Sequence, residues 1–417
     1  MSQIKAFKAI RPADGKSAAV ASLPYDVMNR AEAKEMVRGK KDSFLHVVRA
    51  EVDLPDSVDI HADEVYAKSR ENLDKMLENG VLIQDERPLL YIYRQVMDGR
   101  AQTGLVACAS VDEYMDGRIK KHELTLEAKE QDRIRHFDTC DANTAPIFLS
   151  YRASAEVDKL IADYIDAHKP NADFTSEDGI EHVTWVIEDK KVVEAIIAAF
   201  KKVEALYIAD GHHRCASSAK VGAKRRQQYP DAPPEAEFNW FLAVIFPDRD
   251  LHIFDYNRVV KDLNGLSKEE FFARVREHFE MAEADPAKCP YRPEKKGEYG
   301  MFIEGKWYVL RAKKDIAEVK DPVERLDVQI LQKYLLGPIL GIKDPRTDER
   351  IDFVGGIRGL KELEKRVNSD MKVAFSMFPT AMSELLAVAD AGKIMPPKST
   401  WFEPKLRSGL FVHKLSD

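Results

Sequence analysis

Cysteine is scarce and scattered. Cys108, Cys140, Cys215 and Cys289 form no C-x-x-C pair, which excludes a zinc knuckle or a thioredoxin-type redox centre. Such spacing fits a reducing compartment, where these residues behave as small hydrophobes. No apolar run approaches the roughly 20 residues of a membrane span. The opening Met1–Pro12 lacks an apolar signal core, so a mature, cytoplasmic N-terminus is expected. An excess of positive charge is also missing: 64 Lys and Arg face 71 Asp and Glu, for a net charge of −7. That balance lacks the basic footprint of a nucleic-acid binder and leaves only a local patch open.

Signature loops are absent as well. There is no G-x-x-x-x-G-K-[ST] and no strand-linked G-x-G-x-x-G. Leu126 stands where a zincin beginning at His122-Glu123 needs its second histidine. The protein-kinase set and the G-x-S-x-G elbow are missing too. What remains is a 417-residue chain, 44% hydrophobic and 32% charged, ordinary globular usage with room for two or three domains.

Periodicity predicts an alternation of helices and strands. Helical spacing over 62–79 ends at Asn79-Gly80, and apolar runs at 88–97 and 104–111 flank the hairpin signal Asp98-Gly99. Residues 43–49 read as a strand and 120–138 as a charged helix. Further helices are expected at 156–168, 190–202, 323–340 and 381–391, with strands at 182–188, 240–246 and 371–378. Several strands sit in hairpins, so the expected class is mixed α/β with an α+β tendency. Expected regions are 1–115, 116–235 and 236–417, separate or intertwined.

The most informative stretch is Tyr207-Ile-Ala-Asp-Gly-His-His-Arg-Cys-Ala216. An apolar strand, a glycine turn and a helix start bring free N–H groups and the helix dipole to one point, a ready anion site. Gly211 lets backbone approach a ligand closely, and Arg214 can grip two phosphate oxygens. Asp210 reads as an N-cap or as the ligand of a phosphate-bridging metal. His212 and His213 add donors, or are surface residues.

Asp-Gly-His-His-Arg after a buried strand resembles the signature loop of the ParB/sulfiredoxin-like superfamily, which includes nucleotide-dependent free-serine kinases. Nearly end to end, the chain is identified as a member of the prokaryotic family called domain of unknown function 1015. That resemblance rests on Pro24-Tyr-Asp-Val27, Ser43-Phe-Leu-His46, His122-Glu-x-Thr125 with Asp132-Arg133, Asp210–Arg214, and Met395–Thr400 with Pro404-Lys-Leu406. It implies a nucleotide-binding core with ATP or ADP and Mg²⁺. The kinases use a carboxylate to activate the substrate hydroxyl, and its counterpart does not align here.

Other constellations bear on the same chemistry. As one helix, 121–133 would carry Lys129 and Arg133 for phosphate charge and Glu123 or Asp132 for proton transfer or metal; a solvated face explains it equally. Lys398, Ser399 and Thr400 follow two prolines and suit a phosphate contact or a stiff strand entry. Asp26 is a substrate contact or a turn former, and His122 and Lys405 are further substrate-binding candidates. The expected catalytic set is Asp210, His212, His213 and Glu123. The leading expectation is a small-molecule kinase, with L-serine a candidate acceptor. The alternatives are a ParB-like regulatory nucleotide binder and a phosphatase attacking through His212 or His213. Oligomeric state and a nucleic-acid partner have no sequence support.

Overall fold

The computed structural model describes residues 1–416 and divides the chain into two compact units. The first comprises 1–251 and 404–417; the second is 252–403. The fold is mixed α/β, as the alternation of patterns implied.

The first unit is built on a nine-stranded sheet. Its main path runs Ile119–Lys120, Leu206–Asp210, Ile147–Tyr151, Trp240–Pro247, Arg100–Ser110, Leu90–Met97, Glu181–Ile187, Ala172–Thr175. Ile4–Lys5 pairs with Arg100–Ser110 beside the hairpin. Two pairings are parallel, Ile119–Lys120 with Leu206–Asp210 and Ile147–Tyr151 with Trp240–Pro247. The hairpin turns at Asp98 and Gly99, both at positive φ, and sets Tyr91 opposite Val106. Helices Ala155–Ala167 and Lys190–Phe200 pack Val157, Ile161 and Ile196 onto the same core as Leu105, Leu149 and Ile245. Cys215 joins that core as a buried free thiol.

The sheet explains why the chain does not divide near 115 and 235. Arg100–Ser110 pairs with Trp240–Pro247, so strands from both sides of those positions are hydrogen-bonded neighbours. The second unit is built around an antiparallel six-stranded sheet, Phe279–Glu283, Lys306–Ala312, Glu298–Ile303, Val373–Met377, Tyr256–Val260, Ile351–Gly355.

Three local readings change. Residues 43–49 hold a helical turn, Leu45–Val48, rather than a strand. Leu45, Val47 and Val48 share a core with Leu73 and Met76 of helix Asp63–Glu78, and that packing overrides the β-branched preference. The helix expected over 120–138 begins only at Glu127 and runs to Cys140. Before it lie the short strand Ile119–Lys120 and an irregular strap, 121–126. The expected helix at 323–340 is a short helix, Asp327–Leu331, followed by a π-turn, Gln332–Leu336.

Candidate active site

Strand Leu206–Asp210 feeds helix His212–Gln228 through Gly211, which sits at φ 89°. Only glycine takes that left-handed turn without strain, and a Cβ there would stand 2.9 Å from Arg214 Nε. The first intrahelical bond is Cys215 N–H to the Gly211 carbonyl. The N–H groups of the opening turn therefore lie outside the helical ladder, and among the described residues no side chain caps them.

Asp210 does not cap the helix either. Its Oδ1 accepts the Gly211 N–H at 2.8 Å, while Oδ2 lies 3.1 Å from Lys405 Nζ and 3.9 Å from Arg214 Nη2. Burial alone would raise its pKa, but Lys405 and Arg214 hold the carboxyl well below its ordinary range. It stays ionised and occupied, a poor proton acceptor.

Arg214 is 3% exposed. The expected phosphate fork is turned inward: Nη1 donates to the Pro146 carbonyl, and the guanidinium lies under Gly211. Its role in this geometry is to brace the glycine turn.

The two histidines face the strap. His212 Nε2 accepts the His122 backbone N–H at 3.5 Å, and His213 Nε2 accepts that of Leu126 at 3.0 Å. Each accepting Nε2 fixes the neutral tautomer with its proton on Nδ1. His212 Nδ1 stands 3.8 Å from Glu123, and the His122 ring meets His212 edge-on at 4.4 Å. Burial lowers the pKa of all three, that of His122 to about 4; the neighbouring His122 lowers His212 further, as Lys129 does His213. Among the described residues neither ring nitrogen of His122 finds a hydrogen bond of good geometry, although it is 1% exposed.

His213 also lines a cavity of about 350 Å³ with Asp26, Lys129 and Arg133. Five separate segments thus meet there: the Pro24–Met28 turn, the stretch Val48–Glu51, the helices starting at Asp63 and Glu127, and the start of the helix His212–Gln228. Arg49 holds the first of these by donating to the carbonyls of Tyr25 and Met28.

Most charges in the cavity are already answered. Arg133 stacks 3.9 Å over the Tyr25 ring and donates to Asp132. Asp132 also accepts from the Tyr66 hydroxyl at 2.8 Å and pairs with His61 at 3.0 Å. Burial would raise Asp132, but Arg133, Tyr66 and His61 bring it down to about 2. Glu51 pairs with Arg49 at 2.6 Å. Burial pushes the Tyr25 phenol up to about 12 against the pull of Arg133. Asp26 is different: among the described residues this exposed carboxylate has no hydrogen-bond or ion-pair partner.

Of the residues singled out in the sequence, Asp210, Gly211, His212, His213, Arg214, His122, Glu123 and Lys405 form one cluster. His213 joins it to the cavity holding Asp26, Lys129 and Arg133. Glu123 sits on the strap, off the helix that carries Lys129. Lys398, Ser399 and Thr400 belong to the second unit. There Lys398 lies 5.6 Å over the Tyr256 ring, and Ser399 Oγ donates to the Pro396 carbonyl at 2.6 Å. Tyr25, Arg49, Glu51, His61 and Tyr66 were not singled out for chemistry; of these only Tyr25, beside Asp26, stood in a recognisable motif.

A resident metal does not fit these donors. Among the described residues no three His, Cys, Asp or Glu side chains gather to hold one, and Asp210 is engaged by Gly211 and Lys405. A Mg²⁺ arriving on a nucleotide is held chiefly by phosphates and water.

Comparison with curated proteins returns no match. Among solved structures, the chain is similar to a free serine kinase in complex with AMP, at 14% identity and a TM-score of 0.38, covering 75% of this chain and 91% of that one. It is also similar to SbnI with a C-terminal truncation from Staphylococcus aureus, at 12% identity and a TM-score of 0.40, covering 74% and 87%. A conserved hypothetical protein from Pyrococcus furiosus gives 14% identity, a TM-score of 0.35, and coverage of 74% and 95%. The family described as "Protein of unknown function (DUF1015)" matches residues 4–329. The chain belongs to that family.

Proposed function

We propose that this protein is a nucleotide-dependent phosphotransferase whose acceptor is a small hydroxylated metabolite. The observation that carries the reading is Asp26: an unpaired carboxylate in a cavity that also holds Lys129, Arg133 and the neutral His213. A phosphoryl-transfer site needs positioned charge and a group to take the acceptor's proton, and little else from the protein.

In this reading the nucleotide phosphates lie at the opening turn of the helix His212–Gln228, where the N–H groups outside the ladder face anionic oxygens. Lys129, exposed and close enough to His213 to lower its pKa, supplies mobile positive charge. Asp26 takes the proton as the acceptor oxygen attacks the terminal phosphorus and the bond to the departing nucleotide breaks. His213 Nδ1–H offers a neutral donor. Arg133, held by Asp132, contributes fixed charge.

Free L-serine is the acceptor the sequence resemblance suggests. A cavity of about 350 Å³ lined by both acids and bases suits a small zwitterion. The phosphatase reading has less support, because His212 Nε2 and His213 Nε2 are both committed to backbone N–H groups.

The test is product analysis with terminally labelled ATP or ADP and a panel of hydroxylated metabolites, L-serine among them. Label moving onto one of them is the expected result. Nucleotide binding with no transfer to any member, or phosphate release from a phosphorylated metabolite without nucleotide, would overturn the reading.

A further inference from the structure

A second cavity in the first unit, of about 640 Å³, takes no part in the chemistry proposed above. Pockets for small molecules run from roughly 300 to 1,000 Å³. Ala18, Ala19, Ala21, Leu23, Met36 and Leu45 give it apolar walls. Arg407 and Ser176 lie at its polar end.

Arg407 is charged yet only 4% exposed. Its Nε–H donates to His182 Nε2 at 3.3 Å, and Nη2 donates to Ser176 Oγ at 3.0 Å. His182 is fully buried, its Nδ1 is 2.7 Å from the Tyr93 hydroxyl, and Phe174 stacks on it at 5.1 Å. Burial first, and then Arg407, lowers the His182 pKa to about 3, so this partner is neutral. The guanidinium is thus fixed from the inside by groups without charge.

The countercharge comes from outside. Asp178 pairs with Arg407, but its side chain is 46% exposed. Glu177, its neighbour on the same turn, is 84% exposed and answers Lys40 at the rim. Lys41 lines the rim as well. The fixed Arg407 and the exposed Lys40 therefore find their acids, Asp178 and Glu177, on one exposed segment. A guanidinium can pair with any carboxylate that reaches its fork, and an arriving one has to displace Asp178, which also accepts from Ser176 Oγ at 2.5 Å. The adjoining walls reward an apolar body with burial, at roughly 25 cal/mol per Å².

We propose that this cavity binds a small carboxylate with an apolar tail, whose head takes the place of Asp178 on Arg407 and whose tail lies along Ala21 and Leu23. The site is independent of the phosphotransferase reading.

Octanoate is the probe, with acetate as the head group alone, titrated calorimetrically into the full chain. Octanoate should bind at least about tenfold tighter than acetate, a difference of about 1.4 kcal/mol. Asp178→Asn removes the competing acid, keeps the shape, and should tighten octanoate about tenfold. Arg407→Gln should abolish binding. Because that change touches a buried network, Ala21→Trp serves beside it: it fills the cavity, spares the network, and should also abolish binding with an unchanged melting curve. No octanoate binding to either the native chain or Asp178→Asn would overturn the proposal. So would undiminished binding in Ala21→Trp, or an Asp178→Asn affinity equal to that of the native chain.

Discussion

Leu126 donates its backbone N–H to Nε2 of His213 at 3.0 Å. This bond, with the weaker one from His122 to His212, ties the 121–126 strap to the helix start. An imidazole so used is an acceptor and a positioning group. It is not free to attack phosphorus. His213→Leu should therefore release the strap, raising amide exchange at Leu126, while His213→Gln, which keeps an acceptor near the Nε2 position, should preserve much of the protection. Hydrogen exchange of peptides spanning 121–127 checks this, and equal exchange in all three proteins would contradict it.

Arg214 braces the glycine turn from beneath. Its removal leaves the buried Pro146 carbonyl unpaired and Asp210 with one cation fewer. An unsatisfied buried acceptor costs about 1–3 kcal/mol, so Arg214→Ala should lower the melting temperature by several degrees. Gly211→Ala should be comparably harmful, because the position combines φ 89° with contact against Arg214. Native melting curves for both variants would refute the brace.

Lys129 is exposed and free to serve a ligand. Lys129→Gln should leave melting unchanged and weaken nucleotide binding about tenfold, the effect of losing one charge-assisted hydrogen bond of about 1.5 kcal/mol. Calorimetric titration against ATP and ADP measures it.

The second unit should lose stability as pH rises. Asp327, 8% exposed, has a pKa pushed up to about 7 by burial, despite accepting the Gly297 N–H. A folded value above the unfolded one, near 4, favours folding fully below pH 4. That contribution is lost as pH climbs through 7. The change amounts to at most about 4 kcal/mol, at 1.36 kcal/mol per pH unit. Asp327→Asn should flatten the dependence in denaturant unfolding of the full chain at pH 5 and pH 9.

The readable parts of this protein are those that neighbouring residues specify. The apolar run before Asp210, the glycine and the helix after it form one local signal, and the turn is where that signal puts it. Asp98-Gly99 set the hairpin register in the same way. Residues 43–49 misled because their apolar run fits a strand or a buried helical turn, and helix Asp63–Glu78 decides between them. The strap misled because polar residues at helical spacing carry no mark of where a helix starts. The cavity was legible only as unconnected residues: Asp26 and His213 are distant in sequence, and Lys405 reaches Asp210 across 195 positions. The inward turn of Arg214 depends on Pro146, which no local pattern announces.

The account turns on Asp26 as the group that takes the acceptor's proton. The direct measurement is the rate of label transfer by Asp26→Asn under single-turnover conditions, beside its nucleotide affinity by calorimetry. Removing a general base costs typically 10²- to 10⁴-fold in rate, and an exposed, unpaired carboxylate holds nothing together. The predicted result is transfer slowed by about a hundredfold or more, with nucleotide affinity and melting curve unchanged. Transfer at the native rate in Asp26→Asn would contradict the account.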